Sequence, residues 1–258
     1  MTEQAGALTR SLKAKSANLA GRALDAMYED PFWTARFGDR GRRFSQEDGQ
    51  YHVTYLIEAL AAGDPGVLVR YIQWLNTVLV TRGMCGRHLM DHVQCLADAI
   101  EAEAIPSPEP ALAMLRAAKG ALVYPEGPER AVQEAAATIA AEAAAALVES
   151  HPAWRVPQEN PIASRLGLRA YLAREAEILL SYVADAVHLN DASLFARHAR
   201  WAAPHFAQAG ASPDQVAETL AAISRRLDAL PEGARERAAE VLLAGLSASR
   251  EPQGETQA

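Results

Sequence analysis

The chain has 258 residues, 50% of them apolar, with a formal net charge of −7 and a pI near 5.5. An acidic surface excludes a general nucleic-acid binder, which needs positive charge to displace counterions. Abundant Ala, Leu, Arg and Glu with few β-branched residues favours helix, and two cysteines without a basic, apolar start point to a reduced, cytoplasmic protein. No uninterrupted apolar run approaches the roughly 18 residues of a membrane span, so no membrane role is expected.

The expected elements, in chain order, are all helices, because no alternating run of β-formers lies between hairpin turns. The first covers about residues 6–29 and ends at Tyr28-Glu29-Asp30-Pro31, where proline stops it. An irregular connector carrying Arg36, Gly38, Arg40, Gly41, Arg42 and Arg43 leads to a helix over 43–62. Asp64-Pro65 opens the next one, which closes at Gly83. A helix after Cys85-Gly86-Arg87 shows an apolar stripe of Leu89, Val93, Leu96 and Ile100, and Pro108-Glu109-Pro110-Ala111 starts the last helix of this half. Tyr124–Pro128 marks a boundary. The second half repeats the order: an Ala-rich helix over 129–149 ending at Pro152, a helix over 169–189, one opened by Asp191 and closed by Gly210, one begun at Ser212-Pro213-Asp214, and one begun at Pro231-Glu232-Gly233-Ala234.

Residues 49–102 align without a gap on 176–229 at a constant offset of 127. The identities are Tyr55/Tyr182, Ala59/Ala186, Asp64/Asp191, Arg70/Arg197, Trp74/Trp201, Gly83/Gly210 and Ala102/Ala229. The pattern implies an all-α tandem duplication of a bundle of five to six helices, with pseudo-twofold halves at 1–126 and 127–249 and a flexible tail at 250–258; by fold-level analogy such a bundle resembles a globin-like sensor.

Three sets of residues carry candidate chemistry. Cys85, His88, His92 and Cys95, at steps of three, four and three, share one side of a helix. His88 and His92 have the i,i+4 spacing by which two imidazoles grip a divalent metal or a haem, with His52 on the preceding helix as a further ligand. On the helical stripe, His88 leans toward solvent. Arg70/Trp74 and Arg197/Trp201, each one turn apart, follow Tyr55 and Tyr182 on the helices before them. Such a set stacks internally, with Trp filling a helix crossing and Arg pairing an acid such as Asp48 or Glu175, or it holds a flat anionic ligand. Arg42 and Arg43, with Arg36 and Arg40, offer guanidiniums to a phosphate or carboxylate. Pro204 interrupts a helix beside His205 and is expected to bend it open. There is no G-x-S-x-G, P-loop, G-x-G-x-x-G or Glu-x-x-His, so no catalytic residue is assigned and the chain reads as non-enzymatic.

The run Phe37–Leu56, then Glu58, Asp64-Pro65, Tyr71, Trp74 and Arg82-Gly83, is similar to a helical region of some bacterial proteins that also carry a cobalamin-binding domain. There it acts as a sensory or regulatory module. The similarity spans about residues 25–102, with an echo in 145–229, and implies a regulatory role with a small-molecule ligand or a partner protein. The D-x-H-x-x-G motif of the cobalamin-binding domain itself is absent. Cys85-Gly86-Arg87 resembles the bilin-holding Cys-x-Arg-Asp helix of phycobiliproteins, with His88 where the Asp stands. Haem, bilin, cobalamin or a divalent metal are therefore the cofactors to test.

Overall fold

A computed structural model describes residues 3–157, 160–208, 210–212 and 214–251, and among them every regular element is a helix. They form two compact units. The first comprises Met1–Leu79 with Gly86–Val123, the second Val80–Cys85 with Tyr124–Ala258.

In the first unit α1 (Glu3–Met27) presents Leu8, Leu12, Leu19, Ala23 and Met27 along one stripe, the i, i+4, i+7 spacing that puts one helix face in the core. It packs on α2 (Pro31–Ala62) and α4 (Gly86–Ala102). Gly49 of α2 permits the close crossing with α1, because a Cβ there would lie 3.0 Å from that of Ala20. α4 buries the expected stripe of Leu89, Val93, Leu96 and Ile100, each aliphatic side chain contributing about 1.5–3 kcal/mol. α3 (Gly66–Thr81) and α5 (Glu109–Gly120) complete the core with Leu68, Ile72, Ala111, Leu112 and Leu115.

One expectation for this half holds and one changes. α1 ends at Met27, ahead of Pro31, as expected; Pro31 then occupies the first position of α2, where its missing N–H costs nothing, and the Asp30 carboxylate accepts from the Phe32 N–H at 3.0 Å. The segment expected to be irregular is therefore helical, broken at Gly38, whose φ of 57° and ψ of −163° only glycine adopts readily. The arginines thus ring a helix rather than a loop.

The second unit has α6 (Pro128–Ser150), a short α7 (Pro161–Leu166), α8 (Leu168–His188), α9 (Ala192–Gln208), α10 (Gln215–Ser224), a 3₁₀ turn at Leu227–Ala229 and α11 (Glu232–Ser249). α6 packs on α8 through Val132, Ile139, Ala140, Ala143, Ala144 and Leu147, small side chains that let the axes approach. Contrary to the sequence expectation, α6 is long and apolar enough to cross a membrane by length and composition. Its buried face is nonetheless the centre of this unit's core. α9 and α11 meet where Gly245 faces the ring of Phe195. Pairings shared by the units are α1 with α2 and α6 with α8, α1 with α4 and α6 with α10, α4 with α5 and α10 with α11. Helix ends match too: Gly63 and Asn190, then Gly83 and Gly210, are all left-handed. Pro213 of the expected Ser212–Asp214 start lies outside the described residues; Asp214 takes the cap position without a side-chain bond. α9 continues past Pro204 to Gln208.

Candidate functional site

The chemistry-bearing residues of the first unit converge in one line running from surface to core. α2 contributes Tyr51, His52 and Tyr55, α3 contributes Arg70, Tyr71 and Trp74, α4 contributes His92, and the last turn of α1 contributes Met27. Trp74 is 61% exposed and Tyr51 59%. Inward of Trp74, at 6.2 Å between centroids, lies Tyr71, stacked on Tyr55 at 3.9 Å with planes 12° apart. The Tyr71 hydroxyl is 2.8 Å from His52 Nδ1. The His52 ring meets His92 edge-on at 4.8 Å, and His92 Nδ1 touches Met27 Sδ at 2.5 Å.

Burial decides the charge of this line. It pushes His92 down to about 4, and it lowers His52 well below the usual imidazole value, with His92 adding to the effect. Tyr71 is raised, first by burial and then by Asp48. At neutral pH the line therefore holds two uncharged imidazoles, a protonated phenol and a thioether. That set offers neutral lone pairs and hydrogen bonds.

His88 departs from expectation. It is buried, not solvent-facing, with its ring 4.8 Å from Phe32 and 5.0 Å from Trp33, and Trp33 in turn stacks on Phe37 at 5.7 Å. His88 and His92 thus serve different clusters, and among the described residues no group of three or more His, Cys, Asp or Glu could hold a metal ion. A macrocycle reaching His92 would have to part it from Met27 and His52. Cys85 precedes α4 and belongs to the second unit's core. Cys95 is half-buried, its thiol pushed up to about 11 by burial and by Asp91 and Asp98.

The expected stacking pairs differ from each other. Trp74 does not fill a helix crossing; Trp201 is half-buried and stacks on His205 at 4.7 Å and 18°. Arg70 pairs with Asp64 at 3.7 Å, not Asp48, and Arg197 meets Ser193 Oγ at 2.9 Å, not Glu175. Tyr182 stacks on His198 at 3.8 Å and donates its hydroxyl to the Gly83 carbonyl at 2.9 Å. Arg42 bonds Asp25 and lies over the Tyr28 ring, while Arg40 lies over Phe44 and Arg43 is exposed. These arginines have separate partners and do not form one anion cradle. Sequence reasoning missed Met27, which carries no local signal, and Tyr71, whose role depends on His52 across a helix pair. It also missed a polar set in the second unit. There the Tyr124 hydroxyl donates to buried Asp185 at 2.7 Å, and the His188 ring lies tilted against Tyr124 at 4.3 Å and meets Glu129 at 3.0 Å.

No family model matches the chain, and no curated protein or solved structure matches it.

Proposed function

We propose that the protein is a non-enzymatic ligand-sensing module whose first unit receives a flat ligand on the surface formed by Tyr51, Tyr55 and Trp74. The observation that carries this reading is Trp74: a large aromatic side chain, 61% exposed, extending a stacked tyrosine pair whose inner member bonds a buried histidine. Stacking on such a platform is worth about 1–3 kcal/mol per ring. Arg70, one turn before Trp74, exposed and paired with Asp64 at 3.7 Å, is placed for a ligand carboxylate. Haem and the bilins meet both requirements, carrying a conjugated ring system and free propionates, while cobalamin would use the aromatic surface alone; the resemblance expected for residues 25–102 to a module found beside cobalamin-binding domains keeps all three in the test. In this reading the ligand rests on Trp74 and Arg70 while His88 and His92 stay inside. Its binding is felt in the core through the Tyr71–His52 hydrogen bond, which a ligand shifting Tyr55 and Tyr71 would strain or tighten.

The test is a difference-absorbance and fluorescence titration with haemin, biliverdin and hydroxocobalamin in turn. Saturable one-to-one binding by one of them, weakened tenfold or more in Trp74→Ala and Tyr55→Ala, is expected. Trp74→Ala should leave stability within about 0.5 kcal/mol, as for other surface positions. No spectral change with any of the three, or equal binding by Trp74→Ala, refutes the reading.

A further inference from the structure

We propose that His52, His92 and Met27 form a binding site for a soft monovalent cation, Cu(I). The three side chains come from three different helices and meet in the first unit's interior: His52 and His92 ring to ring at 4.8 Å, His92 Nδ1 against Met27 Sδ at 2.5 Å. Both histidines are buried, 3% and 6% exposed. Their donor set is two imidazole nitrogens and a thioether, with neither thiolate nor carboxylate. Soft thioether and imidazole ligands select Cu(I), whereas Mg²⁺, Ca²⁺ and Mn²⁺ want oxygen and Cu(II) a tetragonal N,O set. A structural zinc site uses four ligands, usually with anionic sulfur.

The surroundings fit a ligand role. Metal-binding imidazoles are oriented by a hydrogen bond at their other nitrogen. His52 has that bond, Nδ1 to the Tyr71 hydroxyl at 2.8 Å, which leaves Nε2 as its donor atom. Met27, unbranched and with three rotatable bonds, accommodates a cation entering between its sulfur and His92. Asp48, close enough to raise the Tyr71 hydroxyl, supplies nearby negative charge.

A packing role alone does not call for these residues. In the second unit, where α8 and α10 pack on α6 as α2 and α4 pack on α1, the aligned positions hold Leu179 for His52 and Thr219 for His92. Val148 stands four residues before Pro152 as Met27 stands four before Pro31. An apolar set with one hydroxyl therefore suffices for such a core, whereas burying two imidazoles there adds a desolvation cost that packing alone does not require.

The experiment is an anaerobic titration of the full chain with Cu(I) against the chromophoric competitor bicinchoninate, followed by X-ray absorption at the copper edge. One equivalent withheld from the competitor, with nitrogen and sulfur neighbours, is expected. Met27→Leu conserves volume and should weaken retention tenfold or more; His92→Leu should abolish it; Cys95→Ser should leave it intact. As a control that perturbs no packing, the selenomethionine-labelled protein should show selenium bound to copper. A folded wild type that withholds no copper overturns the proposal. So does a copper site without selenium, retention unchanged in Met27→Leu, or retention lost in Cys95→Ser. None of these readouts depends on Trp74, so this site and the flat-ligand surface stand or fall separately.

Discussion

Lowering the pH from 7 to 5 should weaken the first unit by about 2 kcal/mol through His92 alone. In the unfolded chain an imidazole titrates near 6.5; in the fold, burial delays His92 until about 4. Below 6.5 the unfolded chain takes up a proton that the folded one refuses. The stability is therefore complete above 6.5, falls as the pH drops, and levels off below 4. At 1.36 kcal/mol per pH unit the full loss is about 3 kcal/mol, most of it reached by pH 5. His52, displaced in the same direction, adds to the loss. The carboxylates of Glu103 and Asp191 are lowered from ordinary values of 4.5 and 3.8, so their contributions vanish only at lower pH and leave this window to the imidazoles. Urea unfolding at pH 7, 6 and 5, followed by circular dichroism and tryptophan fluorescence, measures the effect. His92→Leu should lose about 2 kcal/mol less than the wild type across that range. A wild-type midpoint that does not move, or a His92→Leu protein that falls as steeply, would refute the argument.

Two further changes probe the second unit. Gly245→Ala would place a Cβ 2.3 Å from Phe195 Cε1 and 2.6 Å from Cδ1, in a fully buried ring. Overpacking of about 1–3 kcal/mol exceeds the roughly 1 kcal/mol of helix propensity gained, so a lower unfolding midpoint is expected. Gly233→Ala in the same helix meets nothing within 4 Å and should instead gain about 0.4–1 kcal/mol. Tyr124→Phe removes the 2.7 Å donor to Asp185, which is 2% exposed. It should cost about 1–3 kcal/mol, measured by the same unfolding curves.

The all-helical architecture was legible because its signals are local. The stripe Leu89, Val93, Leu96 and Ile100 shows the helix period over about three turns of contiguous sequence, and Gly83 and Gly210 end helices in the left-handed conformation expected of them. The errors arose where the deciding partner is distant or the signal is two-sided. Proline suits both the residue after a helix and the first residue within one; Pro31 follows the end of α1 and, with the Asp30 cap, also opens α2, which composition does not reveal. The Gly38–Gly41 stretch reads as a loop from composition. Phe32, Trp33 and Phe37, however, pack against His88 and one another and hold the segment helical around a single break. The same contacts bury His88, which no pattern within α4 reveals. Trp74 and Trp201 align in sequence, but one faces water and the other lies against His205. Of the candidate site, His52, Tyr55, Trp74 and His92 were singled out by residue type, but their joining through Tyr71 and Met27 is a property of four helices meeting.

Residues Val80–Cys85 lie in the second unit although Gly86–Val123 of the first follows them. The halves are consequently not separable by one cut. A fragment beginning at Tyr124 would lack Cys85, whose side chain is 1% exposed in that core, and would leave the Tyr182 hydroxyl without the Gly83 carbonyl. The segment is therefore structurally part of the unit that resumes at Tyr124. Gene fragments encoding the second unit alone would have to carry 80–85 grafted ahead of Tyr124. Any recombination that exchanged one half between related chains would have to move that segment with the half it completes.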